Sequence, residues 1–142
     1  YAIDLRYGVL YDIAAAINEG RAVNNSVGSF NAIWQADVND WALRSLEHCG
    51  NPAMVLNITG PETTSVEYAA NRFGELLGKP VCYSQPVSGE SGYLNNAAKA
   101  FELFGYPRIS MGKLIQLQAE WLLQGGRTLN KATHFEVSDG KF

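Results

Sequence analysis

Along most of the chain apolar residues recur at helical spacing, and the polar stretches between them carry turn-forming residues. Over residues 9–18, Val9, Leu10, Ile13, Ala14 and Ile17 fall on one helical face, and Gly20 stands where a helix C-terminus takes a positive φ. Residues 21–34 are rich in Asn, Ser and Gly and then turn β-like, which predicts a short strand, a loop and a second short strand. Asp37 is placed to cap a second helix with Val38, Trp41, Ala42 and Leu46 on one face and Gly50-Asn51-Pro52 as its stop. Residues 53–58, Ala-Met-Val-Leu-Asn-Ile, predict a buried strand ending at Gly60-Pro61. A third helix follows: Thr64-Ser65-Val66-Glu67 has capping-box spacing, and Val66, Ala69, Ala70, Phe73, Leu76 and Leu77 form its buried face. Residues 79–84 predict another short strand, and residues 85–92 a polar loop. Asn95 or Asn96 can cap a fourth helix through Phe104. Ser110 can cap a fifth, apolar at Met111, Leu114, Ile115, Trp121 and Leu122 and closed by Gly125-Gly126. The remaining residues have no clear periodicity. The pattern is that of a small mixed α/β domain with about five helices and short strands, without internal repeats.

Composition narrows the class. The 142 residues are 46% hydrophobic and 18% charged, enough for one compact domain over residues 1–142 with a sizeable core. Eleven Lys and Arg against 14 Asp and Glu leave a net charge of -3, so there is no cationic excess to hold nucleic acid by counterion release. No apolar run reaches the roughly 20 residues of a membrane-spanning helix, and no basic amphipathic stretch suggests a surface anchor. Cys49 and Cys82 lack paired-cysteine spacing and are expected as buried small apolar side chains in a reducing, cytoplasmic setting. The chain opens on Tyr1 with neither an initiator Met nor a signal-like segment, so it reads as an excised piece of something longer.

Chemistry is sparse. The strand, Gly-Pro turn and helix of residues 55–78 have the local order of a nucleotide-binding unit, but a phosphate cradle needs several glycines and unoccupied backbone donors. Here Gly60 stands alone, Pro61 has no N–H, Glu62 would repel an anion, and the capping box takes the donors, so a structural strand-to-helix turn is expected. No Gly-x-x-Gly-x-x-Gly, phosphate-loop Gly-Lys-Ser/Thr or Tyr-x-x-x-Lys occurs, and His48 and His134 have no metal-ligand spacing to each other or to cysteine.

Several segments, in order, resemble the C-terminal substrate-binding portion of the extended short-chain dehydrogenase/reductases, the NAD-dependent epimerase/dehydratase family. Residues 1–9 resemble the exit from its Rossmann domain. Residues 30–38 resemble its Arg-Asp-Phe-Val-Tyr-Val-Asp-Asp-Val segment, with Asp37-Val38 retained. Residues 55–80 are similar to its strand, Gly-rich turn and helix ending in Leu-Gly-Lys-Pro. Residues 95–122 look like its closing Asp-x-Ser-Lys-Ala, Leu-Gly-Trp and last helix, carried here by Lys99, Ala100, Gly105 and Tyr106. The resemblance implies an α/β fold whose Rossmann half, with the cofactor glycines and catalytic Ser/Thr and Tyr-x-x-x-Lys, lies outside these residues. NAD or NADP would belong to the parent protein, and this chain alone would hold no cofactor and no catalytic residue. Its partners would be that N-terminal Rossmann domain, a sugar-like small molecule and, through apolar surface left open, another copy of itself. Nucleotide-sugar members place two arginines to clamp a diphosphate. Here those positions fall on Phe30 and near Tyr93 and Leu94, which argues for a smaller polyhydroxylated or carbonyl substrate.

The candidate substrate-binding residues are Arg6, Tyr7, Trp34 and Gln35. Arg6 and Tyr7 lie just after the Rossmann exit that the resemblance implies. Arg6 can pair a carboxylate or phosphate, or alternatively Asp4 or Asp12. Trp34 can pack an indole on a sugar face or serve as core, and Gln35 can bond hydroxyls. Asp37 reads as a cap before a catalytic acid. Asn24, Asn25 and Asn31 serve sugar hydroxyls or turns equally well, and His134 reads as a structural or interface residue before a ligand. The competing function is a non-catalytic regulatory or protein-interaction member of the same fold, or a free-standing carbohydrate-binding module.

Overall fold

The computed structural model describes residues 1–131, 133 and 135; His134 lies outside the described residues. Its elements are β1 (Ala2–Ile3), α1 (Val9–Asn18), β2 (Ser29–Phe30), β3 (Ile33–Trp34), α2 (Gln35–Arg44), a 3₁₀ turn (Ser45–His48), β4 (Thr64–Ser65), α3 (Val66–Leu77), β5 (Gly92–Tyr93), α4 (Ala98–Phe104) and α5 (Met111–Leu123). β1 and β3 form a parallel pair with Ala2 opposite Ile33 and Ile3 opposite Trp34. β2 is the centre of a second sheet, antiparallel to β4 and parallel to β5. The five helices and short strands agree with the sequence pattern.

Helices α1, α3 and α5 pack on one another around the main core. Leu10, Ile13 and Ile17 of α1, Val66, Ala70 and Phe73 of α3, and Leu114 and Ile115 of α5 meet there with Ile3 and Phe30 from the strands. Phe73 and Leu10 are fully buried, each contributing about 2 kcal/mol of hydrophobic stabilisation. A smaller cluster of Ile33, Trp41, Ala97, Ala100 and Phe104 joins α2 to α4, with Val38, Leu56 and Ile58 at its rim.

α1 ends as expected, with Gly20 at φ 71. α3 starts at Val66, so the residue before it, Ser65, is the cap: its hydroxyl accepts from Tyr68 N at 3.0 Å, while Thr64 stands one residue further out in β4, opposite Phe30. The anticipated Thr64 to Glu67 box therefore does not form, and the Glu67 carboxylate instead accepts from Ser88 Oγ at 2.6 Å. Gly78 closes α3 at φ 65, a left-handed conformation that only glycine adopts without cost. Ser110 Oγ accepts from Lys113 N at 3.3 Å at the head of α5, as the pattern predicted, whereas the cap position of α4 is Ala97 and Asn96, one residue before it, accepts from Ala98 N at 2.9 Å.

Asp37 is not the cap of α2. The helix starts two residues earlier, at Gln35, and Asp37 lies in its first turn at 2% exposure. Its carboxylate reaches across the fold, accepting from Arg108 Nε at 2.7 Å, Arg108 N at 3.2 Å and Ile109 N at 3.3 Å. The expected α2 face also shrinks: Trp41 is buried and Val38 packs on the small cluster, but Ala42 is exposed and Leu46 is 68% exposed on the 3₁₀ turn. Residues 53–58 form no buried strand. They belong to no strand, with Leu56 and Ile58 against the small cluster and Val55 83% exposed. Residues 79–84 contribute one parallel bridge, Val23 to Tyr83, in place of a strand. Both cysteines are exposed, Cys49 just after the 3₁₀ turn and Cys82 beside that bridge, where the flanking backbone rather than the thiol makes the contacts.

Candidate functional site

Parallel strands deliver their C-terminal ends to the same edge of a sheet, where α/β proteins bind ligands. In this chain β1 runs into residues 4–7 and β3 runs into α2, so the register that sets Ile3 opposite Trp34 brings the Arg6-Tyr7 turn and the Trp34-Gln35 junction to one edge. Each pair was read from the sequence separately, and the strand pairing unites them.

The turn is fixed from all sides. Tyr7 N donates to Asp4 O at 3.2 Å, Gln118 Nε2 of α5 donates to Leu5 O at 2.9 Å, and Thr128 Oγ1 and Leu129 N both donate to Arg6 O, at 3.2 and 3.1 Å. Arg6 grips Asp4 with Nε at 2.9 Å and Nη2 at 2.7 Å, while its own backbone N–H adds a third bond to the same carboxylate at 2.8 Å. These bonds hold the Asp4 carboxyl below its usual range and the Arg6 guanidinium above its own. The Asp4 pairing anticipated as the alternative for Arg6 is thus present, with 38% of the Arg6 side chain still exposed. Tyr7 is half-buried in the turn. Trp34 is half-buried against the main core at the N-terminal boundary of α2, and Gln35 is exposed as its first residue.

The asparagines serve the fold. Asn24 Oδ1 accepts from Ser26 N at 3.0 Å, in a local turn. Asn25 is 1% exposed, donates to Gln85 O and accepts from Gln85 N, each at 3.1 Å. Asn31 likewise donates to Asn95 O at 2.8 Å and accepts from Asn95 N at 3.2 Å. The two amides mimic strand pairing and tether the segment that carries β5.

One feature the sequence reading missed is a cavity of about 430 Å³ beside that tether, between the turn at Gly60-Pro61 and residues 94–97. Asn31, Thr63, Leu94, Asn95, Asn96 and Phe101 line it, and none of its lining residues is ionisable. The run Leu-Asn-Asn was its only signal in the sequence, and capping explained those asparagines equally well. Phe30, at one expected clamp position, is 1% exposed in the core; Tyr93, near the other, packs edge-on against Tyr1 with centroids 5.8 Å apart. The Gly60 turn is closed, as anticipated. Glu62 accepts from Met111 N at 2.8 Å and Ser65 caps α3, so both carboxylate and hydroxyl act inside the fold. A separate cavity of about 480 Å³ between α1 and Thr128, Asn130, Lys131 and Phe135 includes Asn24 but none of the four candidate binding residues. Among the described residues no group of three or more His, Cys, Asp or Glu side chains is arranged to hold a metal ion, and no helix is long and apolar enough to cross a membrane.

This architecture has the α/β fold of part of solved nucleotide-sugar epimerases and dehydratases. Among solved structures, the UDP-glucose 4-epimerase of Thermotoga maritima with UDP-glucose matches with a TM-score of 0.66 and 23% identity, covering 88% of this chain and 43% of that one. The UDP-glucuronic acid 4-epimerase of Bacillus cereus with NAD gives 0.64 and 16%, covering 82% of this chain and 38% of that one. The dTDP-glucose 4,6-dehydratase of Bacillus anthracis with NAD gives 0.64 and 18%, over 82% and 39%. The likeness is one of fold, and the chain spans about two fifths of the length of these structures. No family model matches the chain, and no curated protein matches it in sequence.

Proposed function

We propose that residues 1–142 are the substrate-binding domain of an NAD(P)-dependent epimerase, dehydratase or reductase in the cytoplasm. Its substrate is a sugar-like or small polyhydroxylated carbonyl compound, and not a nucleotide sugar. The observation that carries this reading is the shared edge formed by the ends of β1 and β3, which gathers Arg6, Tyr7, Trp34 and Gln35 in the fold of sugar-converting enzymes. There the indole of Trp34 offers an apolar face to a sugar ring, Gln35 offers an amide to its hydroxyls, and Arg6, steadied by Asp4, offers a charge-assisted donor to a carbonyl or carboxylate. The uncharged cavity at Asn95 supports a neutral ligand, because a diphosphate there would lose water without gaining a countercharge.

On this reading an N-terminal Rossmann domain supplies the nicotinamide cofactor, which carries the hydride chemistry; the present residues bind and orient the substrate and are inactive alone. The deciding experiment has two parts. The gene segment upstream of Tyr1 should encode Gly-x-x-Gly-x-x-Gly and Tyr-x-x-x-Lys, and its absence from the gene refutes the enzyme. Calorimetry of the full protein should then show heats with sugars or sugar acids at roughly millimolar concentration. Tighter binding of a UDP-sugar than of the free sugar would refute the exclusion of nucleotide sugars.

A further inference from the structure

The buried face of α5 is apolar at Met111, Leu114, Ile115 and Ala119. Gln118 shares that face at 0% exposure and is the one polar side chain buried along the helix. Its amide is used at one end alone. Nε2 donates to Leu5 O at 2.9 Å, while Oε1, shielded from solvent, meets no donor among the described residues. A buried carbonyl without a donor is destabilising, and a methionine, unbranched and of similar length, would fill the same space without that loss. Packing therefore does not account for a glutamine here, and its bond to Leu5 does.

That bond acts on a peptide unit held at both ends. The peptide joining Leu5 to Arg6 is planar, so its carbonyl and its N–H point in opposite, mutually fixed directions. Gln118 holds the carbonyl, and Asp4 Oδ1 accepts from the N–H of Arg6 at 2.8 Å. The next peptide is held in the same way: its N–H, on Tyr7, donates to Asp4 O, and its carbonyl, on Arg6, accepts from Thr128 Oγ1 and Leu129 N. Two planes pinned on either side of the Arg6 Cα set its φ and ψ, and with them the direction in which the side chain leaves the backbone. On the reading of the β1 and β3 ends as a substrate edge, we infer that Gln118 is a positioning residue of that edge. It touches no substrate; it orients the peptide between Leu5 and Arg6, and through it the guanidinium that meets the substrate.

The test compares the full protein with two variants. Gln118→Met keeps the volume and loses the donor, whereas Ile115→Val thins the same buried face and leaves every bond of the turn in place. Gln118→Met should melt within about 3 °C of the parent, because removal of the unpaired carbonyl offsets the bond it loses. Its turn should nevertheless loosen. The Asp4 carboxyl, held below its usual range chiefly by the side-chain bond from Arg6, should titrate closer to its ordinary value in carboxyl-carbon NMR. Calorimetry with D-glucuronate should show an affinity at least about tenfold weaker. Ile115→Val should lower the melting temperature while both readouts stay at the parent's values. An Asp4 titration or a D-glucuronate affinity that Gln118→Met leaves unmoved, a Gln118→Met protein that does not fold, or equal changes in both readouts from Ile115→Val each overturns the proposal. A parent protein that gives no heat with the sugar acid counts against the substrate edge, and the Asp4 titration alone then decides whether Gln118 sets the turn.

Discussion

Removing the Asp37 carboxylate tests how α5 is attached to the rest of the fold. Asp37→Ala takes away the acceptor for two backbone N–H groups, of Arg108 and Ile109, and for the Arg108 guanidinium. Hydrogen bonds to a charged acceptor stabilise by about 1.5–3 kcal/mol, and the acceptor here is itself buried. With the space left at a 2% exposed site, the loss should be about 3 kcal/mol. The guanidinium is the minor partner, because the Arg108 side chain is 66% exposed and water competes for it. Arg108→Ala should therefore cost only a small fraction of the Asp37→Ala loss, although both substitutions delete the same ion pair. Urea unfolding at neutral pH measures the difference: Asp37→Ala should lower the midpoint with an unchanged slope and lower Tm by about 10 °C. Equal losses from the two variants would falsify the assignment of Asp37 as a clamp on backbone donors.

Two further outcomes follow from local geometry. The Asp4 carboxyl is held below its usual pKa by hydrogen bonds from Arg6, so the stability it adds is present above the unfolded value near 3.8 and drains away as pH falls through the lower folded value. Asp4→Asn should remove that part of the acid dependence in pH-resolved melting while leaving the shape of the curve above pH 6 unchanged; a profile identical to the parent would refute the pairing. A Cβ on Gly60 would sit 2.1 Å from Ala32 O, a backbone atom that cannot step aside, so Gly60→Ala should cost about 3 kcal/mol by denaturant unfolding; a loss below about 0.5 kcal/mol would show that the turn is not so tightly apposed.

The sequence made the helices legible because their information is local. Periodicity and the Ser110 cap need only neighbouring residues, and α1, α3 and α5 lie within a residue or two of their predicted limits. What it hid depends on distant partners. Thr64 and Ser65 are both good caps, and it is the register of β4 against β2, which carries both residues and lets the helix start only at Val66, that leaves the task to Ser65. Asp37 has the composition and position of a cap, yet its partners lie 71 and 72 residues away. Residues 53–58 have the β-branched and apolar content of a buried strand, but burial requires a neighbour, and none of the described elements pairs with them. The candidate site was legible as two fragments. Their union depends on the β1 to β3 register, and the uncharged cavity depends on the asparagine tether.

Glu62 and Asp37 both reach the short stretch that opens α5, from 49 and 71 residues upstream. Glu62 takes the first amide of that helix, at Met111, and Asp37 takes the two amides just before its Ser110 cap, so the approach to α5 is held by groups the chain has placed elsewhere. During folding, α5 can coil early on its own periodicity and Ser110 cap, but its first amide and the two amides ahead of the cap gain their acceptors only after the Gly60 turn and α2 have found their seats. The start of α5 is a latch that closes late, and its closure reports that two remote parts of the chain are in register.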